Sequence, residues 1–293
     1  ITIPKTVTKA GIDVFEDSAL KTATIENGAT AVADNLFSNA KNLTKVTIPN
    51  TVKKVGSMSF YGCKSLSSVT LPNTLTEIGY SAFNGTTALT TITIPKTVTK
   101  AGIDVFEDSG LKTAIIENGA TSVPNNLFSK ATNLTQITIP NTVKKIGSMS
   151  FYDCTKLSSV TLPNTLTSIE TSAFKNCQAM KSITIPKSVT YFGTTAVGYS
   201  DGRVIDGFII YGYKNTKAQT YATKNKIIFK ALQEETVPVG DINNDGKIDV
   251  SDVTYLQMYL SGNSSYVIKN TKAADANGDG KICLLYTSDA ADE

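Results

Sequence analysis

From residue 241 to 252 the sequence reads Asp-Ile-Asn-Asn-Asp-Gly-Lys-Ile-Asp-Val-Ser-Asp, with oxygen-bearing side chains at a fixed rhythm. Asp241, Asn243, Asp245, Asp249 and Asp252 fall at loop positions 1, 3, 5, 9 and 12. Gly246 stands at position 6, where such a loop turns sharply, and Lys247 at position 7 offers its backbone carbonyl. A hard cation such as Ca2+ takes roughly six to eight oxygens, and this spacing wraps them around one point. Without a cation the four aspartates repel one another, so the metal-free loop is expected to be loose. A second loop offers Asp275, Asn277, Asp279 and the Lys281 carbonyl, starting 34 residues after the first. Its positions 9 and 12 are Cys283 and Tyr286, so its last ligands are missing. Ile248, at position 8, is expected to face inward against its counterpart in the second loop.

Other chemistry is narrowed by what the composition omits. The chain has no histidine, which removes His-activated nucleophiles and every histidine-ligated metal. It has no tryptophan, the largest stacking platform for a sugar or a base. A formal charge of +3 with dispersed lysines gives no nucleic-acid footprint, and no apolar run approaches the ~20 residues of a membrane span. The carboxylate pairs Asp13/Glu16 and Asp104/Glu107 could suggest glycosidase chemistry, but they flank a phenylalanine and read as structural. Cys63, Cys154 and Cys177 share one repeat position; Cys154 and Cys177 are near enough in the repeat to bridge, or they are small buried thiols. Lys9, Lys54, Lys100 and Lys145 also align, as a sparse basic stripe or as ordinary solubilising charge.

The elements that carry these groups are set by repetition. Phenylalanine recurs at 15, 37, 60, 83, 106, 128, 151 and 174, at intervals of 22 or 23. A leucine or its substitute keeps step at Leu20, Leu43, Leu66, Leu89, Leu111, Leu134, Leu157 and Met180. Residues 1–18 are identical to residues 92–109, a shift of 91 that equals four units. Within the unit 43–65, Leu43, Val46 and Ile48 form a β-branched run with Thr44, Lys45 and Thr47 facing out. Pro49 lacks an N–H and ends the pairing, Val52 and Val55 turn inward, Gly56 is read as a tight bend, and Phe60 fills the middle. One unit cannot bury this face, whereas stacked units can. The outward Thr47, Thr70, Thr93, Thr138 and Thr161 are expected to line a flat polar ladder, a binding surface or plain sheet.

These units resemble the BspA-like class of bacterial leucine-rich repeats, with the pattern L-x-x-[VI]-x-[IL]-P-x-[ST]-[VL]-x-x-I-G-x-x-A-F-x-x-C over residues 1–186. The resemblance implies a solenoid of leucine-rich repeats and a secreted or cell-surface binding role. Units beginning at Leu20 and Leu111 depart from it, with Glu26 and Glu117 in place of the proline. Past Met180 the pattern decays, and Val197 stands where phenylalanine is due. Residues 187–232 are read as an α+β cap over the last open edge: a strand over 207–213, Asn215 as N-cap of a helix over 216–224, and a strand over 227–232.

A polar, proline-containing linker, 233–240, precedes the oxygen-rich loop. Between the loops, Val253, Leu256 and Leu260 lie at helical spacing. Two loop-then-helix units with no helix ahead of the loop resemble a type I dockerin over 241–282, its second half incomplete. That resemblance implies a small calcium-binding α-helical module that plugs secreted proteins into the cohesin module of a scaffoldin. It places the cohesin-facing positions at Val250, Ser251, Gln257 and Met258. Residues 283–293 break every earlier pattern and read as a non-native, adapter-like tail. The chain begins inside a repeat, so a segment ahead of Ile1 is expected.

The expectation is therefore a non-enzymatic, extracellular bacterial protein with Ca2+ as its cofactor and no nucleic-acid or membrane partner. Its repeats would carry an unidentified protein or glycan ligand, and its C-terminal module would anchor it to a cohesin. The alternative is an accessory region of a larger secreted carbohydrate-active enzyme or peptidase.

Overall fold

A computed structural model describes residues 1–233, 242–243, 247–263, 265–266, 268 and 274. The chain divides into two compact units, Ile1–Leu232 and Gln233–Glu293.

The first unit is a β-solenoid. Short strands at Thr2–Ile3, Thr22–Ile25, Lys45–Thr47 and Ser68–Val69 pair in parallel, one per coil. The ladder continues at Thr91–Ile94, Thr113–Ile116 and Gln136–Thr138. Alternation puts Val46 and Ile92 in the core and Thr47 and Thr93 in solvent, as a half-buried strand requires. From the second coil onward each coil contributes a second strand that the sequence pattern conceals because it is only two residues long. Ala31–Val32, Lys54–Val55, Glu77–Ile78 and Lys100–Ala101 form one such parallel sheet. Ser122–Val123, Lys145–Ile146, Ser168–Ile169 and Tyr191–Phe192 form another.

Between the ladders runs the phenylalanine spine. From Phe15 to Phe174 the rings stack face to face, neighbouring centroids 5.0–5.8 Å apart and planes within 27°. The backbone on this side is satisfied by the following coil: Phe37 N–H donates to Ser59 (2.8 Å), Phe60 to Ala82 and Phe83 to Val105 (both 2.9 Å). The residue two places before each phenylalanine takes a positive φ in every coil, from Asp13 (59°) through Met58 (53°) to Ser172 (54°). Asparagine and aspartate suit that conformation, and methionine is held there against preference. On the second ladder the polarity reverses, with Gly79 N–H donating back to Val55 and Gly102 to Ile78, each at 2.8 Å.

Gly56 does not serve as a bend. A Cβ there would meet the Asp34 amide and the Val32 carbonyl at 2.7 Å, and at Gly102 it would meet Tyr80 N at 2.4 Å. Glycine in this column admits the neighbouring coil rather than a special φ. Glu170 occupies the same column and still donates to the Ile146 carbonyl (3.0 Å), so the column is not confined to glycine.

The two 22-residue steps have a structural consequence. Between Phe15 and Leu20, and between Phe106 and Leu111, the turn is one residue shorter than elsewhere. The second ladder stops at Lys100–Ala101 and restarts at Ser122–Val123, and Phe106 N–H makes no bond to the next coil among the described residues. Pro124 stands in the glycine column here and has no N–H to return to Ala101. Each second-ladder sheet thus has the four-unit length of the duplicated block, though offset from it in sequence. Glu26 and Glu117, the departures from the repeat pattern, have a role in the coils that follow these steps. Their carboxylates accept the backbone N–H groups of Lys5 (2.8 Å) and Lys96 (2.9 Å) in the preceding coil.

The cap forms as expected in kind but differs in detail. Ile209–Gly212 pairs in parallel with Ser182–Thr184 and Ile228–Ala231, and helix α1 spans Lys217–Lys224. The N-cap is Thr216 rather than Asn215, which takes a left-handed φ of 60° and donates its N–H to the Gln219 side chain. Where phenylalanine gives way to Val197, α1 supplies Tyr221. Its hydroxyl donates to Val197 O (3.2 Å) and accepts from Val197 N (3.3 Å), while its ring stacks on Phe192 at 4.6 Å.

In the second unit, helix α2 spans Val250–Leu260, with Ile242, Leu256, Ile268 and Ala274 forming a small core. Of the expected apolar face only Leu256 is buried, and Val253 and Leu260 are exposed.

A central ring of the spine has two stacking neighbours, whereas half-buried Phe15 has one. Phe83→Ala is expected to lower solenoid stability by about 3–5 kcal/mol and Phe15→Ala by roughly half that, read by denaturant unfolding.

Candidate calcium and docking site

Asp252 organises the described part of the loop. It is almost wholly buried, and its Oδ1 accepts the N–H groups of Ile242 (2.7 Å) and Asn243 (3.1 Å). Its Oδ2 accepts the N–H of Asp249 at 3.0 Å. The Asp249 side chain in turn accepts the Ser251 N–H at 2.8 Å, the Ser251 hydroxyl and the Asp252 N–H, the last completing a reciprocal capping box that starts α2. Burial raises the Asp252 carboxyl, but the N–H groups of Asp249, Asn243 and Ile242 together outweigh it and hold the group below the usual carboxylate range. The carboxylate therefore ties loop positions 2 and 3 to the helix start. The spacing of Asp249 and Asp252 ahead of an apolar run is the sequence signal for this capping role, which the metal reading overlooks.

The donor set suits a hard cation. Asn243, Asp249 and Asp252 bear oxygen, the Lys247 contribution is a carbonyl, and no soft sulfur or imidazole intervenes. Asp241 and Asp245 of the first loop, and Asp275, Asn277, Asp279 and Lys281 of the second, lie outside the described residues. Among the described residues no three His, Cys, Asp or Glu side chains converge on one metal position.

The four positions assigned to cohesin contact do come together. Val250 is 78% exposed, Ser251, Gln257 and Met258 are exposed, and a spacing of seven puts them on one side of α2. Ile248, expected to face inward, is 59% exposed. The core beside it is filled by Ile242 and Leu256, and its expected counterpart in the second loop lies outside the described residues.

The remaining candidates in the solenoid resolve as structural. Lys130 bridges Asp104 (3.3 Å) and Glu107 (3.0 Å), and Lys41 pairs with Glu16 (3.3 Å), across the shortened steps. Asp13 accepts from the side chains of Ser38 and Asn39. Lys54 pairs with Glu77 and Lys145 with Glu170, so the basic stripe is punctuated by carboxylates. Cys63, Cys154 and Cys177 are free and buried, and donate to the carbonyls of Phe37, Phe128 and Phe151. Burial pushes Cys63 and Cys177 up to about 12, eased slightly by backbone hydrogen bonds, and raises Cys154 as well.

The sequence matches the BspA type leucine rich repeat region, in six copies, over residues 1–112 and 101–225. The chain belongs to this BspA-type leucine-rich-repeat family. Residues 239–283 of this BspA-type protein match the dockerin type I domain. Among solved structures it is similar to a leucine-rich repeat protein from Bacteroides ovatus, with 25% identity and a TM-score of 0.57 over 80% of this chain and 66% of that one. A second, from Eubacterium ventriosum, has 33% identity and a TM-score of 0.53 over 68% of this chain and 58% of that one. No functionally curated protein matches the chain. Leucine-rich-repeat and dockerin domains are non-catalytic binding modules typical of extracellular or surface proteins. No helix among the described residues is long and apolar enough to cross a membrane.

Native protein is expected to resist alkylation at Cys63, Cys154 and Cys177 at pH 8 and to label all three once unfolded, as mass spectrometry would read. Because the folded thiols lie above their ordinary value of 9.0, they favour the fold fully below that pH. That contribution is lost as pH rises toward about 12.

Proposed function

We propose that this BspA-type protein is a non-catalytic, extracellular or cell-surface binding protein. Its solenoid presents a recognition surface, and its C-terminal module docks, in a calcium-dependent way, onto a cohesin module of a scaffoldin. The supporting observation is that the docking residues and the candidate ligands share one element. Asp249 and Asp252 start α2, and α2 carries Val250, Ser251, Gln257 and Met258 on an exposed side. Bound Ca2+ supplies the positive charge that lets the loop aspartates gather. Asp241, Asn243, Asp245, Lys247, Asp249 and Asp252 would hold it in the first loop, and Asp275, Asn277, Asp279 and Lys281 would contribute in the second. The proposed division is repeats over 1–186, cap over 187–232, linker over 233–240, docking module over 241–282 and a non-native tail over 283–293. The exposed threonines Thr47, Thr70, Thr93, Thr138 and Thr161 offer the solenoid a polar face, interrupted at Ile115, which pairs between Thr93 and Thr138.

The full chain, immobilised and offered the secreted and surface fraction of a scaffoldin-bearing bacterium, is expected to capture a cohesin-bearing protein with Ca2+ present. Chelation, or the Asp241→Ala, Asp245→Ala double variant, should abolish capture. A calcium-loaded chain that captures no cohesin would overturn the docking role and leave the loops as a stabilising clip.

A further inference from the structure

The end of the solenoid carries a cleft of about 390 Å³ between the last strand of the second ladder, Tyr191–Phe192, and helix α1. Three features of it point to one ligand chemistry. First, the strand is a sheet edge. In the preceding coil, Thr167 and Ile169 accept the N–H groups of Thr190 and Gly193, whereas the carbonyls of Thr190 and Phe192 receive no donor among the described residues. The edge therefore asks for O–H or N–H donors. Second, the cleft has aromatic walls held in place by their own hydroxyls. Tyr221 is fixed by Val197 and stacked on Phe192, Tyr199 donates to Asn225 at 2.7 Å, and the ring of Tyr191 is half exposed. Third, Lys217 and Lys224 line it from α1 with no carboxylate in the lining and no ion pair among the described residues. Two helical turns put these lysines on one face, about 10 Å apart.

We propose that this cleft binds a carboxylated sugar residue. The carboxylate meets Lys217 and Lys224, the C–H face of the ring lies on Tyr191, and ring hydroxyls donate to the Thr190 and Phe192 carbonyls. A phosphate or sulfate ion satisfies only the lysines, and an aromatic acid lacks the several hydroxyl donors that the edge requires. The same chemistry occurs in the uronic acids of acidic polysaccharides and in the sialic acids of glycoproteins. The inference rests on the reading of the solenoid as the ligand-bearing part. Cohesin capture tests the other module, so either can fail alone.

The test is calorimetric titration of the full chain with an oligogalacturonate, with a sialyl-oligosaccharide and with the carboxyl-reduced, neutral form of the first. Binding of one acidic sugar but not the neutral form is expected, weakening with added salt. Lys217→Gln, Lys224→Gln and Tyr191→Ala should each weaken it by about tenfold, with an unchanged melting transition because all three side chains are exposed. Which acidic sugar binds identifies the source. Failure of both to bind, equal binding of the neutral form, or variants that bind like the parent chain would overturn the proposal.

Discussion

No coil of this protein has a core of its own; every other feature of the solenoid depends on one coil lying flat against the next. The 22- and 23-residue spacing is the sequence form of that constraint, because only residues in register can stack ring on ring from Phe15 to Phe174. Flat stacking also dictates the small residues. Gly79 and Gly102 leave room for the backbone before them, and at Gly110, beside the shortened step, a Cβ would fall 2.0 Å from the Thr87 carbonyl. The threonine two places after the strand-ending proline serves the same end: the hydroxyls of Thr51, Thr74, Thr97, Thr142 and Thr165 donate to carbonyls of the coil before, at 2.6–2.9 Å. Ser188 ends that series with its buried hydroxyl unpartnered among the described residues.

The second unit is built on a different balance. Its described core is four side chains, too few to carry a fold by burial, and its loop concentrates aspartates that repel one another. Asp252 offsets part of this by turning its carboxylate to three backbone N–H groups, which both caps α2 and closes the loop. A bound cation would relieve the rest. Under the proposed function, stability from packing alone would suit a permanent display surface, and stability that waits for an ion would suit a conditional connector.

Much of this was legible in the residues, and what was not has physical reasons. The spine and the first strand ladder announce themselves because large apolar side chains must recur in register. The second ladder is silent, since a two-residue strand has no period to read. Gly56 looked like a bend because glycine is the usual left-handed residue, yet its role is steric and depends on a neighbour 22 residues away in sequence. Glu26 and Glu117 looked like lapses, because a carboxylate that bonds the backbone of another coil leaves no local signature. In the loop the oxygen-bearing residue types and their spacing were plain. The exposure of Ile248 was not, because it depends on what packs beside it. The cap read as a cover for the last edge rather than a ligand site, because Tyr191, Lys217 and Lys224 are scattered in sequence and meet only where α1 folds back over the final strand.

Amide hydrogen exchange on the whole chain, with and without calcium, separates the two kinds of stability. The solenoid, Ile1–Leu232, is expected to keep its protection when calcium is removed, while Val250–Leu260 loses most of its own. Protection of α2 that is indifferent to calcium, or a solenoid that loosens with it, would contradict the division into a self-supporting repeat and an ion-dependent connector.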